Sequence, residues 1–518
     1  MKKYFFTIIA IFLMGTAFAQ HTNILIGSQG DPEEPSIMIN PKNTNEMVAG
    51  ANIDKYYYSK NGGYTWTEGL LTSTYGVWGD PCIIVDTAGS FYFLHLSNPT
   101  VGNWIDRIVC QKADSIDGAW NDGSYTFVDG TKAQDKEWAV VDRNKNIIYV
   151  TWTQFDNYGS AASTDSSTIL FSRSVDGGQT WISPKRINKI SGDCIDSDNT
   201  TEGAVPTVGP NGEVYVSWAG PEGLLFDRSL DSGNTWLDQD IFVSDIPGGW
   251  DYAIPGIQRC NGLPVTDCDR SGGTHNGTIY INWSDQRNGT TDTDIWLTKS
   301  TDGGNTWTAP IRVNNDAPGK QQFFTWMCVD QKTGYLWFVF YDRRNTSASQ
   351  TDVYLAVSKD GGETFANNKI NTTTFTPSAS VFFGDYTNIS AYNNVVRPIW
   401  SEYSAGNLSL WTAIIDTTSL GVDNNFDLED LSLEQNNPNP FIENTYIGFK
   451  LHRPATVTLK VYDIFGREVT TLIDNEKYNA GKYIRHFDAS QYQLSSGTYY
   501  FSLISNEKIL TRKMLLQK

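Results

Sequence analysis

Histidine is rare in this chain. There are five in 518 residues (His21, His95, His275, His452 and His486), and no two are spaced as metal ligands on a helix. Their placement supports neither a metal centre nor a Ser-His-Asp triad, and His95, inside an apolar strand-like run, reads as a packed core residue. Cysteine is almost as scarce. The six residues Cys82, Cys110, Cys194, Cys260, Cys268 and Cys328 are too few to scaffold a chain this long. No Cys-x-x-Cys occurs, so neither a zinc ribbon nor a dithiol redox motif is supported. Cys260 and Cys268 lie close together in a Gly/Pro/Asp-rich loop and are expected to pair locally if exported. Cys82 and Cys328 read as small buried hydrophobes. Positive charge is outnumbered, with 39 Lys and Arg against 58 Asp and Glu and a net charge of −19. Such a surface repels phosphate backbones and argues against nucleic acid as a partner. It suits extracellular solubility, or collection of Ca²⁺ by carboxylates. No Gly-rich phosphate loop opens a helix, and almost no helix is evident. No transmembrane segment is expected, because no apolar run is long enough to span a bilayer.

Aromatic residues are what the chain has in quantity: 13% of the total, with 17 Trp and 26 Tyr. They suit pleated, half-buried sheet surfaces. At the N-terminus, Lys2 and Lys3 precede a short apolar run from Phe5 to Met14, and Ala17-Phe18-Ala19 offers a small-x-small cleavage site. Residues 1–19 thus read as a secretory signal peptide.

One short motif recurs: Ser59-Lys-Asn-Gly-Gly-Tyr-Thr-Trp66, Ser174-Val-Asp-Gly-Gly-Gln-Thr-Trp181, Ser229-Leu-Asp-Ser-Gly-Asn-Thr-Trp236, Ser300-Thr-Asp-Gly-Gly-Asn-Thr-Trp307 and Ser358-Lys-Asp-Gly-Gly-Glu-Thr-Phe365. A degenerate copy stands at Ser115-Ile-Asp-Gly-Ala-Trp120. An Asp that accepts from its own backbone, followed by Gly at positive φ, is the chemistry of a tight hairpin. Each copy closes a unit of three upstream strand-like runs, and a fourth strand is expected after it. The second runs align at 91–96, 148–152, 214–218, 279–283, 336–341 and 396–400. A four-stranded antiparallel sheet repeated radially is a β-propeller. First strands near Pro35, Pro81, Trp138, Ala204, Ile254, Phe324 and Tyr386 count seven units, with six blades the alternative count. The last unit lacks an outer strand, which residues 22–27 would supply. This N-terminal strand closure leaves no open edge between the first and last blade.

The motif resembles the Asp-box (BNR repeat) of the sialidase superfamily. That resemblance covers roughly residues 22–416 and implies an Asp-box propeller over 20–416. A polar linker is expected at 417–435, then a small C-terminal β-sandwich domain over 436–518. Its period-two runs at 446–451, 456–462, 481–488 and 497–504 precede a basic tail from Lys508 to Lys518. Asn437-Pro-Asn-Pro-Phe441, Val461-Tyr-Asp-Ile-Phe-Gly-Arg467, Ser496-Gly-Thr-Tyr-Tyr500 and Lys513-Met-Leu-Leu-Gln-Lys518 resemble the C-terminal sorting domain of the type IX secretion system of Bacteroidota. This implies the type IX machinery as a partner, and a protein released outside the cell or held on its surface.

Strand alternation puts the recurring turns on one face of the disc and the starts of the first strands on the other, so Asp176 and Asp302 read as structural. At the opposite face stand Glu33, Glu34, Asp80, Asp135, Glu137, Glu202, Asp251 and Asp385, with Asp156, Asp285, Arg287, Asp342, Arg343, Arg344, Glu402 and Tyr403 after the second strands. Trp78, Trp138, Trp250, Tyr252, Phe324 and Tyr386 accompany them. Carboxylates, arginines and rings around one funnel are what a carbohydrate site uses, two carboxyls serving as acid and as base or nucleophile. Candidate catalytic residues are Glu137, Glu202, Asp251, Asp385 and Tyr386. Candidate substrate contacts are Asp80, Trp138, Arg287, Asp342, Arg343, Arg344 and Tyr403.

The superfamily resemblance implies three arginines on a substrate carboxylate, a Tyr–Glu nucleophilic pair and an Asp acid. The early Phe/Tyr-Arg-Ile-Pro motif is absent, and the first arginine of the chain is Arg107. The expected function is a secreted or surface glycan-processing hydrolase of sialidase-like architecture, acting on a glycan or glycoprotein without a cofactor. The alternatives are a non-catalytic carbohydrate- or protein-binding propeller, and a structural module whose funnel acids hold Ca²⁺.

Overall fold

The computed structural model describes residues 21–415, 417, 431–451, 455–479, 481–505 and 508–518. The expected signal at 1–19 lies outside the described residues, as does most of the expected linker. The chain divides into two compact units, one ending at Thr417 and the other beginning at Thr418.

The first unit is all β. Among its described residues are seven four-stranded antiparallel sheets. Their first strands are Ser36–Ile39, Cys82–Val85, Ala133–Asp142, Glu202–Val208, Val265–Cys268, Gln322–Val329 and Asn388–Tyr392. Each packs against the next in chain order, and the last returns to the first, so the sheets form a ring: the architecture of a β-propeller. Strand His21–Gly27 supplies the outer edge of the seventh sheet by pairing with Asn407–Ile415. The two ends of the unit are thereby tied together, His21 standing opposite Ile415.

The second strands carry the core. Trp152, Trp218, Trp283 and Trp400 are fully buried at equivalent points. Each removes roughly 200 Å² from water, an upper bound of about 5 kcal/mol of hydrophobic stabilisation per ring. The ring encloses a channel of about 570 Å³ lined by residues of all seven first strands.

The recurring turn is built by its own side chains. Ser174 Oγ accepts from the Gly178 N–H at 2.9 Å and donates to Asp176 Oδ1 at 2.7 Å. Asp176 also accepts from the Thr180 N–H at 3.0 Å and the Thr180 hydroxyl at 2.5 Å. The second glycine is needed for a further reason. A Cβ on Gly233 or Gly304 would lie 2.2 or 2.3 Å from the Phe171 or Phe226 ring of the preceding sheet. Trp236 and Trp307 rest on those same rings, so the turn buttresses one sheet on the next.

Three expectations are corrected. The fifth first strand begins at Val265 rather than near Ile254, because Pro255, Gly256, Gly262 and Pro264 break the pleat and leave 250–264 as a loop. Cys260 and Cys268 do not pair: all six cysteines are free. Cys260 lies in that loop, whereas Cys268 ends the strand that leaves it. Cys82 is buried as expected, whereas Cys328 is only partly buried and lines the channel. His95 is fully buried, bonded to Leu96 O and Gln111 Oε1.

The second unit contains a three-stranded sheet (Leu431–Leu433, Asn444–Leu451, Gly481–Asp488) and a four-stranded one in the order Glu468–Tyr478, Ala455–Tyr462, Gly497–Ser505, Lys508–Leu516. They share one core, including Phe449, Leu459, Phe487, Phe501 and Met514. Its first strand lies inside the stretch read as linker, and the basic tail is a full edge strand.

Candidate functional site

The entries to the first strands repeat a backbone device. Two residues before the regular pairing of the first, second, third and sixth sheets stand Glu34, Asp80, Lys136 and Phe324, each with φ of 51–52°. Gly203 occupies the same place in the fourth, with φ 75°. Non-glycine residues rarely take this left-handed conformation, and its strain concentrates at functional sites. In three sheets it lies within a bulge, between Asp135 and Trp138, Glu202 and Val205, and Phe323 and Trp326.

The side chains converge on Lys136. Its Nζ lies 2.6 Å from Asp385 Oδ2, 3.6 Å from Asp80 Oδ2 and 3.7 Å from Glu34 Oε1, joining four sheets through one buried ammonium. Arg259, from the loop misread as a strand, forms a bidentate pair with Asp385 through Nε at 2.9 Å and Nη2. Its Nη1 lies 3.5 Å from Asp196 Oδ2. Asn261 Nδ2 donates to the Asp385 carbonyl at 2.9 Å. The loop is itself pinned by Arg343, whose Nη1 donates to Pro255 O at 2.8 Å.

This arrangement divides the acids. Burial alone would raise the Asp385 carboxyl, but Lys136 and Arg259 outweigh it and hold the group ionised far below the usual range. Glu34, Asp135, Glu137 and Glu202 go the other way. Burial raises each, and neighbouring carboxylates add to it: Asp80 for the first three, Asp196 for Glu202. Burial likewise lifts Glu33 to about 7. Glu202 and Asp196 line the same cavity, Asp196 is among the charges that raise Glu202, and Asp196 accepts from the Tyr158 hydroxyl at 2.6 Å. Burial and the neighbouring Asp196 thus make Glu202 the carboxyl of this pair that holds its proton more tightly than usual.

A cavity of about 480 Å³ opens over this pair, lined among others by Lys136, Asp196, Glu202, Trp250, Asp251, Tyr252, Arg259 and Asp385. Below it, Trp138, Trp326 and Tyr386 pack together, with Trp138 ring centroids 4.2 and 5.1 Å from the other two. Trp138 and Trp326 also line the channel. Among the described residues, no group of three or more His, Cys, Asp or Glu is arranged to hold a metal ion.

The expected residues separate accordingly. Glu202, Asp251, Asp385, Tyr386, Asp80 and Trp138 are gathered at this mouth. Tyr386 Oη donates to Asp80 Oδ1 at 3.5 Å, and Asp251 accepts from Ser197 Oγ at 2.9 Å. Glu137 is 1% exposed, lines no cavity, and neither carboxyl oxygen has a hydrogen-bond partner. The arginines are committed elsewhere. Arg287 is paired with Asp285 at 2.6 Å and stacked on Trp296, Arg344 is paired with Asp342 at 2.7 Å, and Arg343 holds the loop. Tyr403 pairs opposite Leu408 within the seventh sheet. Lys136, Asp196, Arg259 and Tyr158 were not singled out from sequence. The one available signal for Lys136 was its position, a cation where other units carry an acid.

Residues 437–517 match the family model described as a secretion system C-terminal sorting domain. The chain therefore carries a type IX sorting domain, which addresses it to the cell surface or exterior. Among the described residues, no helix is long and apolar enough to cross a membrane. No curated protein matches the chain in sequence. Among solved structures, a protein of unknown function from Dyadobacter fermentans is similar at 12% identity and a TM-score of 0.43, over 76% of this chain and 96% of that one. The Hadza microbial sialidase is similar at 14% and 0.42, over 72% and 74%. A polysaccharide lyase that is an ulvan lyase is similar at 13% and 0.45, over 75% and 95%.

Proposed function

We propose that residues 20–416 form a seven-bladed propeller closed by its N-terminal strand, with Asp-box turns on one face and a glycan-hydrolysing site at the mouth of the other. The second unit, from residue 431, is read as a β-sandwich that serves export. The observation that carries the hydrolase reading is the Asp196–Glu202 carboxyl pair inside a cavity walled by Trp250 and Tyr252. Glu202, kept protonated by burial and by Asp196, is placed to donate a proton to a leaving glycosidic oxygen. Asp196, oriented by Tyr158 and Arg259, is placed to act as base or nucleophile. Asp385 is the anchor of Lys136 and Arg259, rather than a reacting group. Asp251 and Trp250 contribute walls.

The charge inventory narrows the substrate. Arg287 and Arg344 are paired with Asp285 and Asp342, Arg343 holds the Pro255 loop outside the cavity lining, and Lys136 and Arg259 are shared among Glu34, Asp80, Asp196 and Asp385. Among the described residues, the cations lining the cavity are Lys136 and Arg259, both already paired with acids, so a neutral glycan fits this site better than a sialic acid or uronate. A hydrolysis screen of the full chain on neutral and acidic oligosaccharides tests the reading. Glu202→Gln is expected to lower kcat by 10²-fold or more, on the order of one lost general acid, with binding retained. Binding by the wild-type chain with no turnover of any substrate would favour a carbohydrate-binding propeller instead.

A further inference from the structure

Beside the cavity runs a line of rings that the hydrolytic reading does not use. Tyr158, bonded to Asp196, packs edge-on against Trp104 with centroids 5.6 Å apart, and Trp104 packs in the same way against Trp78 at 6.3 Å. Trp78 and Trp104 are 38% and 45% exposed, unlike the buried tryptophans of the sheets. Large exposed rings in a row signal a binding surface more than a packing defect.

The backbone under them is held rigidly and at a cost. Ile105, directly after Trp104, is 1% exposed and has φ 45°. For a β-branched residue this is a genuine outlier, of the kind that surrounding structure must enforce. It is enforced here by the Ile105 N–H on Ser97 O at 2.9 Å and the Gln134 N–H on Ile105 O at 2.7 Å. The Trp78 N–H donates to Leu96 O at 2.9 Å, and glycines at positive φ (Gly76 and Gly79) flank the ring. Asp106 and Arg107, just after Trp104, are paired with each other at 2.7 Å, and Asp80, just after Trp78, lies 3.6 Å from Lys136. The surface therefore presents preorganised apolar ring faces, continuous with the cavity through the Tyr158–Asp196 bond, with these adjoining charges already paired.

We infer that Trp78 and Trp104 form a stacking subsite next to the cavity, so that the site takes a neutral oligosaccharide chain of several residues and not a single terminal sugar. This rests on the glycan reading of the cavity. Sugar rings in a chain present apolar C–H faces to such a wall, and fixed indoles bind them with little loss of side-chain freedom.

The test uses the full chain with Trp78→Ala, Trp104→Ala and Glu202→Gln. It measures affinity by calorimetry for neutral hexasaccharides of glucose, xylose and mannose, and by NMR titration for the corresponding methyl glycosides. Each Trp variant is expected to bind the recognised hexasaccharide about tenfold more weakly, with methyl glycoside affinity and Tm unchanged. Hexasaccharide affinity unchanged in both Trp variants overturns the subsite, while loss of turnover in Glu202→Gln would leave the cavity reading standing. Equal weakening of hexasaccharide and methyl glycoside also overturns the subsite, because the rings would then be shaping the cavity. A wild-type chain that binds no sugar of the panel, whether or not the ring surface retains a protein, overturns both readings.

Discussion

Replacing Asp385 by Asn is the sharpest perturbation of the mouth. The carboxylate is 2% exposed and neutralises two cations from distant parts of the chain: Lys136 at 2.6 Å and Arg259 in a bidentate pair. Asn preserves shape but leaves a buried ammonium facing Glu34 and Asp80 only at 3.6–3.7 Å. Removing one partner of a buried pair costs about 3–5 kcal/mol. With an unfolding entropy of roughly 0.8 kcal/mol/K for a unit of roughly 400 residues, the melting temperature should fall by about 4–6 °C. The contribution of Arg259 is smaller, because its side chain is 42% exposed and screened by water. Calorimetry should therefore rank Asp385→Asn and Lys136→Met as similarly damaging and Arg259→Ala as milder. The double variant Lys136→Met/Asp385→Asn should recover part of the loss, since no charge is then stranded at this contact. A shift below 1 °C for Asp385→Asn, or strict additivity in the double variant, would refute the pairing as the keystone of the mouth.

Stability should also depend on pH in a defined direction. Glu33 and Glu402 are raised to about 7 by burial, and Glu34, Asp135, Glu137 and Glu202 are raised as well. The folded chain then holds protons that the unfolded chain releases above about pH 4.5, so stability is full below that value and is lost as pH rises toward 7. The melting temperature measured by scanning fluorimetry should be higher at pH 5 than at pH 8, and a steady rise over that range would contradict the assignment. The depressed carboxyls act oppositely: Asp176, near 2 with its turn hydrogen bonds, and Asp385 lose their contribution only below about pH 4. Asp176→Ala removes the acceptor of one recurring turn. It should cost about 1 kcal/mol by urea denaturation without changing ligand affinity at the mouth, because the turn lies on the opposite face.

Much of the molecule follows from local sequence. The side chains of Ser174, Asp176 and Thr180 bond within their own turn, so the spacing of the motif already contains its geometry, and repetition of the unit dictates sheets around a ring. The closing strand 21–27 was legible because the seventh unit lacked a partner for it. The sorting domain was legible because its motifs are contiguous. The mouth was legible in part: acids before successive first strands mark a shared position, and Glu202, Asp80 and Asp385 do meet there.

What the chain order could not supply is the pairing across it. Lys136 meets Asp385 at a separation of 249 residues and Arg259 meets it at 126, contacts that exist only once the ring closes. Arg259 was hidden by reading its loop as a strand. Arg287 and Arg344, adjacent to their acids in sequence, turned out to be neutralised by Asp285 and Asp342 and so unavailable to a ligand. Composition and spacing determined that this is a ring of sheets with an acid-lined mouth and an export domain. Only the tertiary structure decided which acids keep a proton, because that depends on burial and on charges brought from other sheets.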